Sequence, residues 1–305
     1  WVHTSGSTGT PKPLQVEKER MKASARLTCQ FLGLKEGDTA LLCMPLQYIA
    51  GKMVVVRSLV DGLRLIPVAP CGHPLKDLKE APTFAAMIPM QVYNSLQVPE
   101  EKHILKNIQH LIIGGGAIDT SLANELKYFP NQVWSTYGMT ETLTHIALRR
   151  LNGKEASDWY TPFDSVRIRL SEEDTLIIYA PNVCAEELAT NDIAEINEEG
   201  KFRILGRKDN TINSGGVKVQ MEQVEALLRE HLSIPIQITA APDTKFGEIV
   251  VLLYPKVEDV EAIKAVCEKE LPLYWQPKRY IPVETLPLTG TGKPDRATAR
   301  QIAKK

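Results

Sequence analysis

The sequence is poor in cysteine, and its few cysteines form no motif. They stand at Cys29, Cys43, Cys71, Cys184 and Cys267 of 305 residues. This wide spacing excludes a CxxC metal site, and the odd number argues against a disulfide framework. Because such usage is typical of a reducing compartment, we expect a cytoplasmic location.

Long apolar runs and an excess of either charge are also absent. The most apolar segment, residues 48–60, is interrupted by Lys52 and Arg57, and no run reaches the roughly 20 residues of a membrane span. The formal net charge is -1, with 36 Lys and Arg against 37 Asp and Glu. We therefore expect no membrane span and no nucleic-acid partner. The hydrophobic content of 43% is enough for a sizeable core.

Predicted strands and helices alternate through the first half of the chain. Helices are predicted over residues 16–33, 49–60, 89–97 and 119–128, and strands over 39–44, 63–68, 84–88, 109–113 and 132–136. This alternation predicts an α/β sheet with helices on its faces. Short strands then follow one another at 145–149, 166–170, 175–180, 185–189, 193–197 and 202–205. They predict a small antiparallel β subdomain.

A second boundary is predicted at the GRKD sequence of residues 206–209. Strands are predicted near 211–213, 217–219, 235–241 and 248–254, and helices near 221–231, 258–270 and 295–303. We therefore expect a large amino-terminal domain over residues 1–208 and a small mobile α+β domain over residues 209–305. Two domains joined by a short polar connector commonly bind their ligand between them.

A hydroxyl- and glycine-rich segment stands at the start of the chain. Residues 4–12 read TSGSTGTPK, in which glycines let backbone N–H groups approach an anion and Lys12 adds a positive charge. This composition favours a polyphosphate ligand. It is not a Walker A sequence, because two residues separate Gly6 from Gly9 and Pro13 follows the lysine. A flexible linker is the alternative, which the Pro-Lys ending disfavours.

Two glycine-containing turns follow predicted strands. Residues 137–142 read YGMTET and offer the Tyr137 ring for stacking, the Thr140 hydroxyl, and Glu141 as a hard oxygen ligand suited to Mg²⁺. Residues 114–117 read GGGA, a sequence that lets a ligand lie against the backbone at the end of a strand. Each turn alone is a weak signal, since an ordinary tight turn explains either one.

Three charged residues complete the set of candidate residues. Asp192 precedes a predicted strand and can accept hydrogen bonds from both hydroxyls of a ribose, and Arg207 can supply a second polar contact. Lys293 stands in the glycine-rich sequence PLTGTGKPDR of residues 287–296. Because such a loop is costly to order, its lysine fits a charge that arrives when a lid closes. A turn aspartate and a solvated lysine are the simpler interpretations.

Taken together and in this order, these segments resemble the acyl-adenylate-forming superfamily of acyl-CoA synthetases, luciferases and peptide-synthetase adenylation domains. The match runs from residue 4 to residue 296. Within the superfamily, residues 44–52 (MPLQYIAGK), 137–150 and 190–192 are similar to the o-succinylbenzoate–CoA ligases of menaquinone biosynthesis. The resemblance implies an AMP-forming acid–thiol ligase that uses ATP, Mg²⁺ and CoA, with a small-molecule carboxylic acid as its substrate.

The resemblance also implies a role for each matching residue. The phosphates would be bound by Thr4, Ser5, Gly6, Ser7, Thr8, Gly9 and Lys12; the adenine by Gly115, Gly116, Ala117 and Tyr137; and the ribose by Asp192 and Arg207. Gly138 would be a further nucleotide-binding residue. Thr140 would contact phosphate and Glu141 would ligate Mg²⁺. Lys293 would be the lysine of the adenylation step, and Asp209 the hinge about which the terminal domain rotates between half-reactions.

The sequence departs from the family pattern at several places. The usual glycine before the ribose aspartate is Asn191 here, and a lysine common after the hinge is Asn213. The His or aromatic residue that often gates the acyl pocket falls at Tyr48. The amino-terminal part is shorter than in most relatives, and the chain opens with Trp1 instead of Met. We therefore expect that a segment upstream is missing.

The acid substrate is the least determined feature. A dicarboxylate needs a cation for the carboxylate that does not react, and Lys52, Arg149 and Arg150 are the candidates, with His145 as a polar neighbour and Tyr48 at the pocket. For Arg149 and Arg150 a solvated strand end is the favoured interpretation. Other aromatic or fatty acids remain alternative substrates. An adenylation module for a carrier protein and an inactive module remain alternative functions. Assembly as a homodimer is also left open.

Overall fold

The computed structural model describes residues 1–3, 13–116, 118, 120–289 and 293–304. In chain order their regular elements are β1 (Val2–His3), β2 (Pro13–Leu14), α1 (Lys18–Leu32), β3 (Thr39–Leu42), α2 (Ile49–Asp61), β4 (Arg64–Pro67), β5 (Phe84–Met87), α3 (Pro89–Leu96), α4 (Pro99–Asn107), β6 (His110–Ile113), α5 (Thr120–Leu126), β7 (Gln132–Gly138), β8 (His145–Arg150), β9 (Thr161–Pro162), β10 (Arg167–Leu170), β11 (Thr175–Tyr179), β12 (Leu188–Ile196), β13 (Phe202–Arg207), β14 (Thr211–Ser214), β15 (Val217–Gln220), α6 (Met221–Arg229), β16 (Gln237–Asp243), β17 (Gly247–Pro255), α7 (Val260–Glu270), β18 (Arg279–Val283) and α8 (Arg296–Ala303). Short 3-10 helices lie at Thr140–Thr142 and Lys208–Asn210.

The first sheet has seven strands in the order β4-β3-β5-β6-β7-β8-β9. Its first five strands are parallel, and β8 and β9 extend it with antiparallel pairing. The register pairs Ile113 of β6 with Ser135 of β7. The glycine turn after β6 therefore lies beside the end of β7, at the edge where ligands commonly bind in parallel sheets.

Helices cover both faces of the parallel strands. Because these strands are buried on both faces, their sequences are continuously apolar. Successive strand residues point to opposite faces. Phe84 and Ala86 of β5 are buried in a core with α1 and α2. Ala85 and Met87 are buried in a second core with α3, α4 and α5. The two sets of helices thus fix the position of the parallel strands and of the turns that follow them.

The second sheet is antiparallel, with the order β10-β11-β12-β13. Its buried residues Leu176, Ile178 and Phe202 belong to the same core as α1 and α2. The second sheet therefore packs with the first around one core. Its register places Asp192 of β12 opposite Arg207 of β13.

The third sheet has the order β15-β14-β17-β16, with β18 parallel to β17. Val250 and Leu252 face a core with α6 and α7, whereas Val251 and Leu253 face a core with α8. The 3-10 helix Lys208–Asn210 joins β13 of the second sheet to β14 of the third. We retain the domain boundary after residue 208 as a prediction.

The mixed α/β class predicted from the sequence is confirmed, but several elements differ from the prediction, among them the short strands β1, β2 and β9, which were not predicted. The two strands predicted at 185–189 and 193–197 are one strand, β12, whose pairing shifts register between Ile193 and Ala194. Helix α4 was not predicted. Strand β18 was also missed, because the segment is rich in proline; as an edge strand bonded only to β17, it tolerates Pro282.

No helix within the described residues is long and apolar enough to cross a membrane. All five cysteines are free. Burial raises the pKa of the Cys29 and Cys43 thiols to about 12, so both side chains are neutral members of the core.

Candidate active site

A buried carboxylate, Asp192 of β12, lies at the centre of the candidate site. The Tyr137 hydroxyl donates a hydrogen bond to its Oδ2 at 2.6 Å, and Arg207 Nη1 donates to its Oδ1 at 2.9 Å. Only 8% of the Asp192 surface is exposed. Its two oxygens are therefore held by partners from the first sheet and from the neighbouring strand.

Tyr137 reaches Asp192 because it stands near the end of β7. Its ring packs edge-on against Phe202, with ring centroids 5.0 Å apart, and lies 5.9 Å from the Tyr160 ring. The pKa of the Tyr137 hydroxyl is raised, first by burial and then by the Asp192 charge. The phenol is therefore protonated and acts as a hydrogen-bond donor.

Lys293 comes to this site from the third part of the molecule. Its backbone N–H donates to Thr289 Oγ1 at 3.2 Å, and Thr289 N–H donates to the Lys293 carbonyl at 2.7 Å. The pKa of the half-buried Lys293 is lowered, first by burial and then by the Arg207 charge, whereas Asp192 acts in the opposite direction. Lys293 thus lies within electrostatic range of the Asp192–Arg207 ion pair.

Thr140 and Glu141 follow β7 in a 3-10 helix. The Glu141 side chain is exposed and lines a cavity of about 260 Å³ together with Leu14 and Glu17, close behind the segment 4–12 in the chain. Glu17 and Glu186 line the same cavity. Carboxylates suit Mg²⁺, which commonly takes one or two of them from the protein and completes its shell with phosphates and water. The described residues contain no group of three ligating side chains that would form a closed metal cage.

Both predicted glycine turns have a steric requirement for glycine. A Cβ added to Gly138 would lie 2.2 Å from the Thr144 carbonyl oxygen. Gly115 has a φ of +81°, in the left-handed region that favours glycine. Strands β6 and β7 pair up to Ile113 and Ser135, so the two turns leave the same edge of the sheet. The roles of Gly115, Gly116 and Tyr137 at the adenine stay predictions.

Several predicted phosphate and adenine residues lie outside the described residues. These are Thr4, Ser5, Gly6, Ser7, Thr8, Gly9, Lys12 and Ala117. The strands on either side of residues 4–12 pair with each other, with Val2 opposite Leu14. The roles of residues 4–12 and Ala117 in nucleotide binding stay predictions.

The predicted hinge residue, Asp209, is tied to the ribose-site residues. It accepts hydrogen bonds from Arg207 Nη2 at 3.0 Å and from Asn191 Nδ2 at 3.1 and 3.3 Å. Arg207 therefore bridges two carboxylates, those of Asp192 and Asp209.

The four predicted substrate residues come from α2 and β8, and each has its own contacts. Tyr48 is the N-cap residue of α2, and Lys52 Nζ donates to the Trp1 carbonyl at 3.0 Å. Arg149 pairs with Asp158 at 3.0 Å and lies over the Tyr160 ring. Their roles in substrate binding stay predictions.

His145, the fourth, is buried between two hydroxyls. Its Nε2 lies 3.0 Å from Thr28 Oγ1 and its Nδ1 lies 3.2 Å from Thr144 Oγ1. Burial and the Arg57 charge hold its pKa well below the ordinary range, so the imidazole is neutral. Within the described residues, its hydrogen bonds are to these hydroxyls alone.

Arg57 of α2 is a candidate that the sequence analysis missed. Only 2% of its surface is exposed, and Nη2 donates to Thr144 Oγ1 at 3.2 Å, while its buried Nε has no partner. Among the described residues it forms no ion pair with a carboxylate. Burial lowers the pKa of its guanidinium to about 10. Its signal in the sequence was a single arginine inside an apolar helix.

A family model described as "AMP-binding enzyme" matches residues 1–185, more than half of the chain. The chain therefore belongs to the AMP-binding enzyme family. This finding and the fold together confirm the resemblance to acyl-adenylate-forming enzymes.

Individual relatives point in the same direction. The chain is 25% identical to the 2-succinylbenzoate–CoA ligase of Staphylococcus epidermidis over 320 residues, which cover 96% of this chain and 67% of that protein. Among solved structures, an acyl-CoA synthetase (AMP-forming)/AMP-acid ligase II-like protein from Dyadobacter fermentans is 32% identical, with a TM-score of 0.66 over 99% of this chain and 89% of that one.

A third relative bears on the fold. The o-succinylbenzoate–CoA synthetase of Bacillus subtilis, solved with ATP and magnesium, is 22% identical and has a TM-score of 0.80 over 97% of this chain and 68% of that one. The arrangement of the three larger sheets therefore agrees with an adenylate-forming fold.

Proposed function

We propose that this protein is an ATP-dependent ligase that adenylates a carboxylic acid and transfers the acyl group to CoA, with o-succinylbenzoate as the preferred acid. The observation that carries the proposal is the buried Asp192 carboxylate, which Tyr137 and Arg207 hold by hydrogen bonds and which lies within electrostatic range of Lys293. A carboxylate held in place, with a lysine from the segment before α8 in electrostatic range, suits a nucleotide whose ribose binds the carboxylate and whose phosphate binds the lysine.

In the first half-reaction, an oxygen of the substrate carboxylate attacks the α-phosphorus of ATP. The bond from this phosphorus to the bridging oxygen breaks, and pyrophosphate leaves with the electron pair. Asp192 accepts hydrogen bonds from the ribose hydroxyls and fixes the nucleotide. Lys293 neutralises the charge that develops on the α-phosphate in the transition state. Electrostatic stabilisation of this kind is usually the largest single contribution to catalysis.

Glu141 is the residue that would hold Mg²⁺, with Thr140 contacting phosphate. When bound, the ion neutralises phosphate charge and favours departure of pyrophosphate. The segment 4–12 would bind the β- and γ-phosphates through its N–H groups, hydroxyls and Lys12.

In the second half-reaction, the CoA thiol sulfur attacks the acyl carbon. The bond from this carbon to the phosphate oxygen breaks, AMP leaves, and the thiol proton passes to solvent. We propose that residues 209–305 rotate about Asp209 between the two steps, which removes Lys293 and presents the face near Gly215, Gly216 and Lys218 to CoA.

Arg57 supports a dicarboxylic substrate. A buried guanidinium without a carboxylate partner is unfavourable unless an anion completes it. The second carboxylate of o-succinylbenzoate is such an anion, and a bidentate pair with Arg57 would satisfy its free Nε. We therefore place the substrate's non-reacting carboxylate at Arg57, in preference to Lys52 and Arg149, which already have partners.

The main alternative is a ligase of the same mechanism for another aromatic or a fatty acid. ATP–pyrophosphate exchange with o-succinylbenzoate, benzoate and a long-chain fatty acid tests the choice, with reactions lacking acid as controls. We expect the highest kcat/KM for o-succinylbenzoate. A higher value for a monocarboxylate would overturn the substrate assignment, and exchange with none of a wider acid panel would overturn the ligase. A cytoplasmic location and a homodimer also stay predictions.

A further inference from the structure

The connector between the second and third sheets is bound by side chains on both sides. It consists of Lys208, Asp209 and Asn210, which form the 3-10 helix between β13 and β14. Any rotation of the third sheet against the other two has to change backbone torsions in or beside these residues, because the chain passes between the sheets only here.

Two of the three side chains hold the connector to the second sheet. Asp209 accepts hydrogen bonds from Asn191 of β12, and Lys208 Nζ donates to Glu173 Oε2 at 2.5 Å. Glu173 stands in the turn between β10 and β11. These contacts come from two separate parts of the second sheet, so they fix the connector at two points.

The side chain of Asn210 holds the connector to the part of the molecule that contains the third sheet. Asn210 donates to Glu222 of α6, and Gln220 Nε2 donates to the Arg207 carbonyl at 3.2 Å. The third sheet is therefore bound to the second through the connector and not only by the covalent chain.

We propose that Asn191 and Glu173 are positioning residues, which hold the connector, and with it the third sheet, in the orientation of this structure. Neither residue touches the reacting atoms. Asn191 acts through Asp209 and Glu173 acts through Lys208. Their effect on the reaction rests on the proposed function, because these hydrogen bonds would have to break before CoA receives the acyl group.

Opening of the connector can be measured by limited proteolysis, because trypsin cleaves after Arg207 and Lys208. A protease needs an extended backbone, so the cleavage rate reports how often the 3-10 helix opens. We expect Asn191→Ala and Glu173→Ala each to raise this rate by up to about fivefold, the upper end of what the loss of an exposed charged contact predicts. The double variant should show a larger rise.

Glu172→Ala is the matched control, because this neighbouring glutamate makes no contact with the connector among the described residues. Cleavage at other lysines, followed by mass spectrometry, separates local opening from general destabilisation. Rates for Asn191→Ala and Glu173→Ala equal to that of Glu172→Ala would overturn the proposal. A uniform rise at all sites would also overturn it.

The two half-reactions provide the functional test. In Asn191→Ala we expect faster thioester formation from a supplied acyl-adenylate and unchanged or slower ATP–pyrophosphate exchange, and Asn191→Gln should partly restore the wild-type ratio. An unchanged ratio alongside faster connector cleavage would contradict the positioning role. If the wild-type protein catalysed no exchange and Asn191→Ala still opened the connector, the contact would stand and the ligase proposal would fail.

Discussion

Two clusters of polar side chains lie near the same edge of the first sheet, and they differ in whether their buried charge has a partner of opposite charge. The Asp192 cluster consists of Tyr137, Asp192, Arg207 and Lys293, and its carboxylate is held on both oxygens. The Arg57 cluster consists of Thr28, Arg57, Thr144 and His145, and its cation is hydrogen-bonded to the Thr144 hydroxyl and forms no ion pair among the described residues. They are close, because Gly138 after Tyr137 pairs with His145 across β7 and β8.

The difference indicates what each cluster is suited to bind. The Asp192 carboxylate already has its charge compensated, so it can accept hydrogen bonds from an uncharged group such as a ribose without a large desolvation penalty. An unpaired buried guanidinium lacks that compensation, and a carboxylate ligand would supply it. One cluster therefore fits the nucleotide and the other fits the acid.

The largest expected effect is that of Lys293→Ala on the Asp192 cluster. Loss of this cation should slow ATP–pyrophosphate exchange about 100- to 1000-fold, since it removes charge stabilisation from the adenylation transition state. Thioester formation from a supplied acyl-adenylate should change little. Lys304→Ala, at an exposed lysine near the end of the chain, is the control. Equal loss of both half-reactions would contradict the role.

Arg57→Met tests the other cluster. We expect KM for o-succinylbenzoate to rise about 10- to 100-fold, as for a lost hydrogen-bonded ion pair, with KM for ATP unchanged. The melting temperature should stay level or rise, because the substitution removes an unpaired buried charge.

The matched control for Arg57 is Arg149→Met, which affects an arginine already paired with Asp158. It should leave KM for o-succinylbenzoate within about twofold, the level of a surface ion pair. The reverse result, with Arg149→Met raising KM and Arg57→Met not, would move the acid to the outer arginine.

Asp192→Asn should have a moderate effect confined to the nucleotide. We expect KM for ATP to rise about tenfold, because an amide accepts hydrogen bonds from ribose hydroxyls less well than a carboxylate. The exposed Asp77→Asn serves as the control in the same assay. An unchanged KM for ATP would remove Asp192 from the ribose site.

The smallest effect is a pH dependence from His145. Its folded-state pKa is depressed below the ordinary 6.5, so its contribution to stability is present above pH 6.5 and is lost as the pH falls towards the folded-state pKa. The free energy of unfolding should fall by about 1.4 kcal/mol per pH unit in this window. Denaturant titrations of wild type and His145→Gln should differ in this slope. Equal slopes would show that His145 is not the titrating group.

The sequence predicted the Asp192 cluster well, because its residues stand in short motifs at the ends of predicted strands. The motifs YGMTET, TND, GRKD and TGTGK each contain one of its residues. Periodicity also predicted most of the first sheet, since strands covered on both faces have continuous apolar sequences.

The Arg57 cluster could not be predicted in the same way. Thr28, Arg57 and His145 come from three separate elements, and an isolated arginine in a helix has no pattern that reveals its burial. The connector contacts were equally hidden: Asn191 was noticed as a departure from the family, but its bond to Asp209 depends on the register of β12 and β13. Contacts of this kind arise from tertiary packing alone.

The most direct measurement is a crystal structure of the protein with a non-hydrolysable ATP analogue and Mg²⁺. The account predicts that the ribose hydroxyls bind Asp192, that the adenine lies between Tyr137 and the turn at residues 114–116, and that Lys293 contacts the α-phosphate. A nucleotide bound at any other place, with Asp192 and Lys293 free of it, would contradict the account.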